Sequence, residues 1–467
     1  MAYKFHISKF IRRVLERSTF HGVYHVANKK NSLCEKISWG LAILLAVIGM
    51  SYLLVLFWIR YLTNPTVISL DRNYHEWNTT FPSLTVCFHD RLNVTARDIL
   101  VEELKPEDPQ RFERFLALLA EANIFRLEPL VEFDEYSDLD LQAVLNQITN
   151  HVNTTVILDN GLDAKTYRVV TELGICYTFN SAMVRFTTVD ALDEEDLPKG
   201  LIQVSTMERD IMASLSNLTS NGDIFYHGPY EVPSYLKRLI VTLSTSAFLT
   251  ITFKPVIITA DATIQNLYVQ QRRCRFPDES NLALFPNYYS HSLCLLDCRL
   301  RLFLKYCGCV PYFYNLEVKV PVCRLKQLRC VVDNLAEIRQ TLSSCGCLKD
   351  CNTISFTLQN YVMFDWFNDP LIKWNMETPK VRYSRKIIYG FADFMVSIGG
   401  IHGLFFGASV ISFIELLYSF IKNVLQSLIR FRSKMQDKTR VGSVKRSTEL
   451  QNDKINVKFN ERVTYWY

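Results

Sequence analysis

Toward the C-terminal end of the chain, Gly399, Gly403 and Gly407 recur every four residues. Ser409, Ser412 and Glu415 follow them in a stretch whose other side chains are mostly large and apolar. Two kinds of chemistry fit that pattern. Small residues at this spacing let membrane helices approach closely. Alternatively, the backbone of Gly407-Ala408-Ser409 turns extended and presents carbonyl oxygens and the Ser409 hydroxyl to water, since irregular backbone at membrane depth is tolerated only where it lines water or is buried in protein. Three copies of such a turn would form rings of oxygen ligands that replace part of a cation's hydration shell. Glu415 favours this second reading, because a carboxylate in lipid costs about 2.5–3.5 kcal/mol. It must face water, where three copies would draw cations in, or else an ion-pair partner on a neighbouring helix. His402 either lines the same space or bonds between helices, and the second is the expectation here.

Thirteen cysteines make up the other reactive set. Only Cys34 lies outside the segment 63–385, leaving an even twelve, ten of them between Cys274 and Cys351. An even, clustered set reads as oxidised thiols outside the cytosol. Cys294 and Cys298 are four apart on an expected helix, a rise of about 6 Å, and Cys345 and Cys347 are two apart on an expected extended segment, a rise of about 6.6 Å. Matching rises permit a ladder with Cys294–Cys347 and Cys298–Cys345 as rungs. Cys274–Cys351 would close it outside, Cys307–Cys330 and Cys309–Cys323 inside, with Cys87 and Cys176 left to each other. Spacing alone admits many other pairings, and Cys-x-Cys pairs are also zinc ligands.

The elements that carry these groups begin with hydropathy. From Trp39 to Ile59, twenty-one residues run without a charged side chain, about 30 Å of helix and one bilayer core. Ile398–Ile421 is a second such stretch, interrupted only by His402 and Glu415. The first starts too far into the chain and runs too long for a secretory signal, and no small-residue cleavage site follows it. Residues 1–36 carry a net +6 and residues 422–467 a net +7, against +5 for the whole chain. Both ends therefore read as cytosolic, and their basic totals reflect topology, not nucleic-acid binding. The expected order is a cytosolic segment 1–36, a membrane helix 37–62, an outward-facing segment 63–385 with its cysteine-rich part at 274–351, a second membrane helix 386–421 and a basic cytosolic tail 422–467. Four Asn-X-Ser/Thr acceptors, at Asn78, Asn93, Asn153 and Asn217, all fall in the outer segment, as glycosylation there requires.

Within the outer segment, Arg97–Phe125, Leu139–Val152, Tyr289–Tyr306 and Asp333–Ser344 have helical spacing of apolar residues. Arg238–Ala260 is dense in Val, Ile, Thr and Phe and reads as strand. One disulfide-rich α+β unit is expected. No His-Glu-x-x-His, phosphate-binding glycine loop or nucleophile elbow occurs, so no catalytic residues and no metal site are assigned.

Several motifs recur in a fixed order: Thr19-Phe-His21-Gly22 ahead of the first span, Phe81-Pro-Ser-Leu-Thr-Val-Cys87 after it, Gly174-Ile-Cys176-Tyr-Thr-Phe-Asn180, the ten-cysteine block, and Gly399-Gly400 through Gly407-Ala408-Ser409 to Glu415. In them the chain resembles the degenerin/epithelial sodium channel family, and most of all its insect pickpocket branch. The resemblance implies an amiloride-sensitive, sodium-selective channel of the plasma membrane, with the permeant sodium ion in place of any cofactor. It implies a homo- or heterotrimer with related subunits, and a hand-like ectodomain of palm, finger, knuckle and β-ball with the cysteine block as thumb. The nested cysteine pairing is also what it implies. Gly407, Ala408 and Ser409 would occupy the filter, Gly403 the position where amiloride acts, and Ser412 and Glu415 the pore below. His21 and Gly22 would be the cytosolic motif that affects open probability and re-enters the lower pore. Sensory cells are the implied setting, with an extracellular ligand or a mechanical stimulus as the trigger.

Two positions depart from the family pattern. Ser397 stands where acid-sensing members carry Asp, which removes a ring of outer carboxylates, and Val396 puts bulk where many relatives are small, which implies a leak-prone pore. The competing readings are a non-conducting two-span receptor or adhesion protein, a modulatory subunit that conducts only in heterotrimers, and an ATP-gated trimeric channel, which shares the two spans and outer cysteines but not this filter.

Overall fold

The computed structural model describes residues 20–429 apart from 153, 160–162, 191–199, 207–210, 217, 219, 233–239, 245, 315–319, 367–369, 423 and 427–428. The acceptors Asn153 and Asn217 lie outside the described residues. The chain divides into two compact units, Met1–Pro65 with Tyr389–Tyr467, and Thr66–Ile388.

In the first unit a short helix α1 (Val23–Ala27) precedes α2 (Leu33–Thr63), which Ser32 caps by accepting a bond from the Glu35 N–H. At 1.5 Å per residue α2 runs about 46 Å, and none of its side chains is buried within the chain. It is long and apolar enough to cross a membrane. The second apolar stretch is two helices, α8 (Phe391–Phe406) and α9 (Val410–Gln426), which meet at an angle of 70° and reach that length only as a pair. Helices α3 to α7 belong to the second unit. Tyr61 stacks on Phe394 with ring centroids 5.1 Å apart, whereas a Cβ built on Gly49 would lie 2.9 Å from the Phe405 ring. Helices α2 and α8 therefore run antiparallel, and Gly49 is the point of closest approach.

The second unit is built on two sheets. An eight-stranded sheet has the order β1 (Thr66–Asp71), β17 (Arg382–Ile387), β12 (Ala247–Ala260), β16 (Leu371–Met376), β9 (Met212–Leu215), β4 (Val156–Leu158), β5 (Asp163–Ala164), with β15 (Thr353–Asp365) paired to β12. A five-stranded sheet has the order β11 (Ile240–Leu243), β10 (Gly222–His227), β3 (Ser83–Phe88), β7 (Gly174–Phe179), β6 (Tyr167–Thr171). Two short pairs, β2 (Asn78–Thr80) with β8 (Gln203–Ser205) and β13 (Cys274–Arg275) with β14 (Lys349–Asp350), complete the strands described. Alternation decides which face goes inside: along β12, Leu249, Ile251 and Phe253 are fully buried and the residues between them are not. They pack with Ile372 and Trp374 of β16, with Phe81 just ahead of β3, and with Phe179 and Ile224 of the smaller sheet.

A helical core adjoins the sheets, made by α3 (Val94–Leu104), α4 (Pro109–Glu121), α5 (Leu141–Ile148), α6 (His291–Cys307) and α7 (Leu325–Thr341). On α4 the buried set Phe112, Phe115, Leu116 and Leu119 follows the i, i+3, i+4, i+7 spacing of one helix face. The helix expected over Arg97–Phe125 is in fact two. Lys105 ends the first in the left-handed conformation ahead of Pro106, and Asp108 caps the second with Pro109 at its first position, as proline demands. The strand expected over Arg238–Ala260 is likewise divided into β11 and β12, and α7 starts earlier than Asp333. Asn78 is exposed on β2. Asn93 caps α3 through its side-chain oxygen, which accepts from the Ala96 N–H at 3.1 Å and leaves the amide nitrogen free of that bond.

All twelve outer cysteines are oxidised. The pairs are Cys87–Cys176, Cys274–Cys351, Cys294–Cys347, Cys298–Cys345, Cys307–Cys330 and Cys309–Cys323, the nested arrangement set out above, and no thiolate is left among them for zinc. The two rungs tie one face of α6 to the segment after α7, and Cys307–Cys330 ties the end of α6 to α7 itself. Bridges of this kind each contribute about 2–4 kcal/mol. Beside this block, the Glu172 carboxylate pairs with Arg299 of α6 and accepts from the Tyr314 hydroxyl at 3.1 Å.

At the foot of the block, Asp350 accepts from the His291 N–H at the start of α6, at 2.9 Å. Burial pushes its carboxyl up to about 6, with Glu231 adding to the effect and the His291 bond and Lys349 opposing it. An unfolded Asp titrates near about 3.9, so the protonated form favours the folded state. That contribution is complete below the unfolded value and is lost as pH rises through about 6. Thermal unfolding of the full chain in detergent should therefore show Asp350→Asn more stable than the natural protein at pH 7.5, with the gap narrowing as pH falls below about 6 and closing only below the unfolded value. A gap that is absent, or that widens in acid, contradicts this account of Asp350.

Candidate functional site

The site forms where the second apolar stretch breaks. Helix α8 starts with Gly390, whose N–H donates to Asp393 Oδ2 at 2.8 Å, and it ends at Gly407, which has a left-handed φ of 60°. Only glycine takes that conformation without strain. The Gly407 N–H closes onto Gly403 O at 2.9 Å and the Ala408 N–H onto His402 O at 3.3 Å, the αL termination that satisfies two of the last carbonyls. Ser409 then starts α9. Its hydroxyl accepts from the Ser412 N–H at 3.3 Å, and the Ser412 hydroxyl accepts from the Ser409 N–H at 3.2 Å. This is a reciprocal cap made by two serines, with the two hydroxyls 3.3 Å apart. Gly407 and Ser409 are exposed in the single chain, and Ala408 and Ser412 are buried. The three-residue turn is thus held at both ends by hydrogen bonds.

The N-terminal motif meets this turn. The His21 N–H donates to Phe406 O at 3.1 Å, taking a further carbonyl at the end of α8. Its ring lies against Gly407 so closely that a Cβ built there would sit 2.1 Å from the imidazole. Phe20 packs edge-on against Phe413 at 5.6 Å and Phe406 at 6.2 Å. Gly22 has φ 80°, and its added Cβ would lie 3.2 Å from Trp39 of α2. Both glycines are therefore required twice over, by backbone conformation and by space. His25 stacks on Trp39 with centroids 4.6 Å apart, fixing α1 against the start of α2.

The remaining positions are spread along the two helices. Val396 is 74% exposed on α8. Ser397 accepts from the Tyr389 hydroxyl at 2.8 Å and donates to Asp393 O at 2.7 Å, so the position with no carboxylate is filled by a hydroxyl bridge. Tyr389 also lies under the Arg60 guanidinium, 4.9 Å from the ring centre. Gly403 and Glu415 are exposed, and no cation among the described residues is within salt-bridge reach of Glu415. Within the single chain the His402 Nδ1 donates to Ile398 O one turn back at 2.8 Å, and its ring meets Phe413 edge-on at 5.7 Å.

The structure thus brings His21, Gly22, Gly403, Gly407, Ala408, Ser409 and Ser412 together, and leaves Val396, Ser397 and Glu415 on the helices to either side. Sequence reasoning missed Gly49, whose signal was a lone glycine in a long apolar helix. It also missed Phe20, which the motif contained but to which no role was given.

The sequence matches the family model described as "Amiloride-sensitive sodium channel" over residues 14–419. It is 23% identical to Pickpocket protein 28 of Drosophila melanogaster over 88% of this chain and 78% of that protein. It is 29% identical to Pickpocket protein 11 of the same organism over 44% of this chain and 42% of that one. Acid-sensing ion channel 4-B of Danio rerio is 22% identical over 88% of this chain and 76% of its own length.

The contact at Gly407 can be tested without any assay of function. A cysteine at position 20, which leaves the His21 imidazole in place, should react slowly with a thiol reagent in the Phe20→Cys chain on a Cys34→Ser background. Adding Gly407→Ala should raise that rate several-fold by displacing the N-terminal segment, and an unchanged rate contradicts the contact.

Proposed function

The chain belongs to the amiloride-sensitive sodium channel family, and from that premise we propose that it is one subunit of a trimeric, sodium-selective, amiloride-sensitive channel of the plasma membrane. The family consists of ion channels and not enzymes. In this reading α2 and the bent pair α8–α9 are two membrane spans, the termini are cytosolic, and residues 66–388 face outward. A homotrimer and a heterotrimer with related subunits both provide the three second spans that enclose an axis. Sensory cells are the proposed setting, on the resemblance to the pickpocket branch alone.

One observation carries the proposal. The second apolar stretch is interrupted at Gly407-Ala408-Ser409, and the interruption is capped on both sides. A helix needed only for anchoring gains nothing from a 70° break, whereas a filter needs backbone outside the helix lining water. Glu415 supports the same reading, since an exposed carboxylate on this stretch belongs in water or against protein and not in lipid. Gly403, one turn before Gly407, is the proposed amiloride position.

Replacing external sodium with a large organic cation should abolish inward current, and amiloride should block what sodium carries. Substituting Ser409 should alter the sodium-to-potassium permeability ratio, and Glu415→Gln should lower unitary conductance by roughly two- to fivefold by removing carboxylates that concentrate cations. A current indifferent to sodium and to Ser409, with every partner subunit and stimulus tried, rejects the conducting reading in favour of a receptor. Val396, exposed and bulky, is proposed to bias the pore open. Val396→Ala should then reduce resting current, and an equal or larger resting current rules that bias out.

A further inference from the structure

Strand β15 is an edge. Among the described residues it pairs only with β12. Up to Asp365 at its end it contains neither a charged residue nor a proline, the two usual protections of a free edge. Its outer end is apolar on both faces, with Tyr361 52%, Val362 50%, Met363 48% and Phe364 45% exposed. The pairing register places Phe364 beside Phe248 and Phe248 beside Leu371, so that one apolar row crosses three strands on the face away from the core. Phe248, Phe364 and Trp366 form an aromatic cluster with centroids 4.8 to 6.1 Å apart, and the Lys373 ammonium lies 5.7 Å from the Phe248 ring. No carboxylate among the described residues is within salt-bridge reach of Lys373.

An aromatic centre with a lone cation at its rim is the composition of a subunit interface, where charge is excluded from the middle and retained at the edge. A ring of copies uses a heterologous contact, in which one patch meets a different patch on the next copy. The second unit offers a complementary patch on α3. Its outer face carries Ile99, 53% exposed, with Glu102 and Glu103 one turn on, and no cation among the described residues is within salt-bridge reach of either glutamate. Their charge is opposite to that of Lys373, and Ile99 supplies an apolar contact for the aromatic row.

We propose that the outer end of β15 with its aromatic cluster receives the α3 face of a neighbouring copy, with Lys373 of one copy against Glu102 and Glu103 of the next. This rests on the multi-subunit reading above. The test uses the full chain on a Cys34→Ser background, which removes the exposed free thiol. Lys373→Cys combined with Glu102→Cys should give crosslinked dimers and trimers on non-reducing gels, and neither single variant should. Lys373→Glu should weaken assembly on native gels, and Glu102→Lys with Glu103→Lys should restore it. Assembly without crosslinking, or charge reversal without rescue, overturns the interface and leaves the channel reading standing. A chain that is monomeric on native gels overturns the interface between copies and leaves a heterotrimer with related subunits standing.

Discussion

A chain that breaks its helix inside an apolar stretch must find partners for the backbone groups it frees, in protein or in water that the break lines, because each unsatisfied group costs several kcal/mol. The site is arranged around that constraint. At Gly407 the helix closes on itself through a left-handed residue, the carbonyl of Phe406 is taken by the His21 N–H, and Ser409 and Ser412 exchange N–H and hydroxyl bonds to open the next helix. What remains is three residues of irregular backbone whose neighbours are already satisfied. Among the described residues the Gly407 and Ala408 carbonyls accept no hydrogen bond, whereas the Ser409 carbonyl takes the Phe413 N–H and its hydroxyl the Ser412 N–H; in the function proposed above, a partly dehydrated cation is what the two free carbonyls suit.

The same constraint accounts for features that look unrelated. Gly22 and Gly407 are both left-handed and both in tight contact, Gly22 with Trp39 and Gly407 with His21. Residues 20–22 are therefore part of the turn's support. Gly49 lets α8 approach α2 at the level of Phe405, one residue before the carbonyl that His21 takes. In the other unit, rigidity comes from covalent and packed contacts: six bridges, and two sheets whose inner faces share one core.

Much of this was legible in the residues, and the failures are instructive. The first long apolar helix was readable because twenty-one residues without charge match the thickness of a bilayer core and are too apolar to lie along a wet surface. The cysteine ladder was readable because equal rises on a helix and a strand set two rungs, but only the family resemblance narrowed the remaining pairings. The break at Gly407 could be suspected from small residues, yet the identical spacing also suits plain helix packing. What separates the two is a hydrogen-bond pattern no spacing encodes. The His402 bond to its own helix was not legible, because a histidine in an apolar helix has an acceptor in its own backbone one turn away that spacing does not reveal. The split of Arg97–Phe125 followed from Pro106 and Pro109, which were visible, but the apolar period on either side is the same and concealed the interruption.

The central claim is that Ser409 faces the ion path while the helix surfaces on either side of it need not. Its most direct test is silver-ion block of current through chains carrying a single introduced cysteine on a Cys34→Ser background. Ser409→Cys should be blocked rapidly, with sodium slowing the reaction, and Leu404→Cys, on the exposed outer surface of α8, should not. Equal reactivity at the two positions, or none at 409 in a conducting channel, would contradict the account.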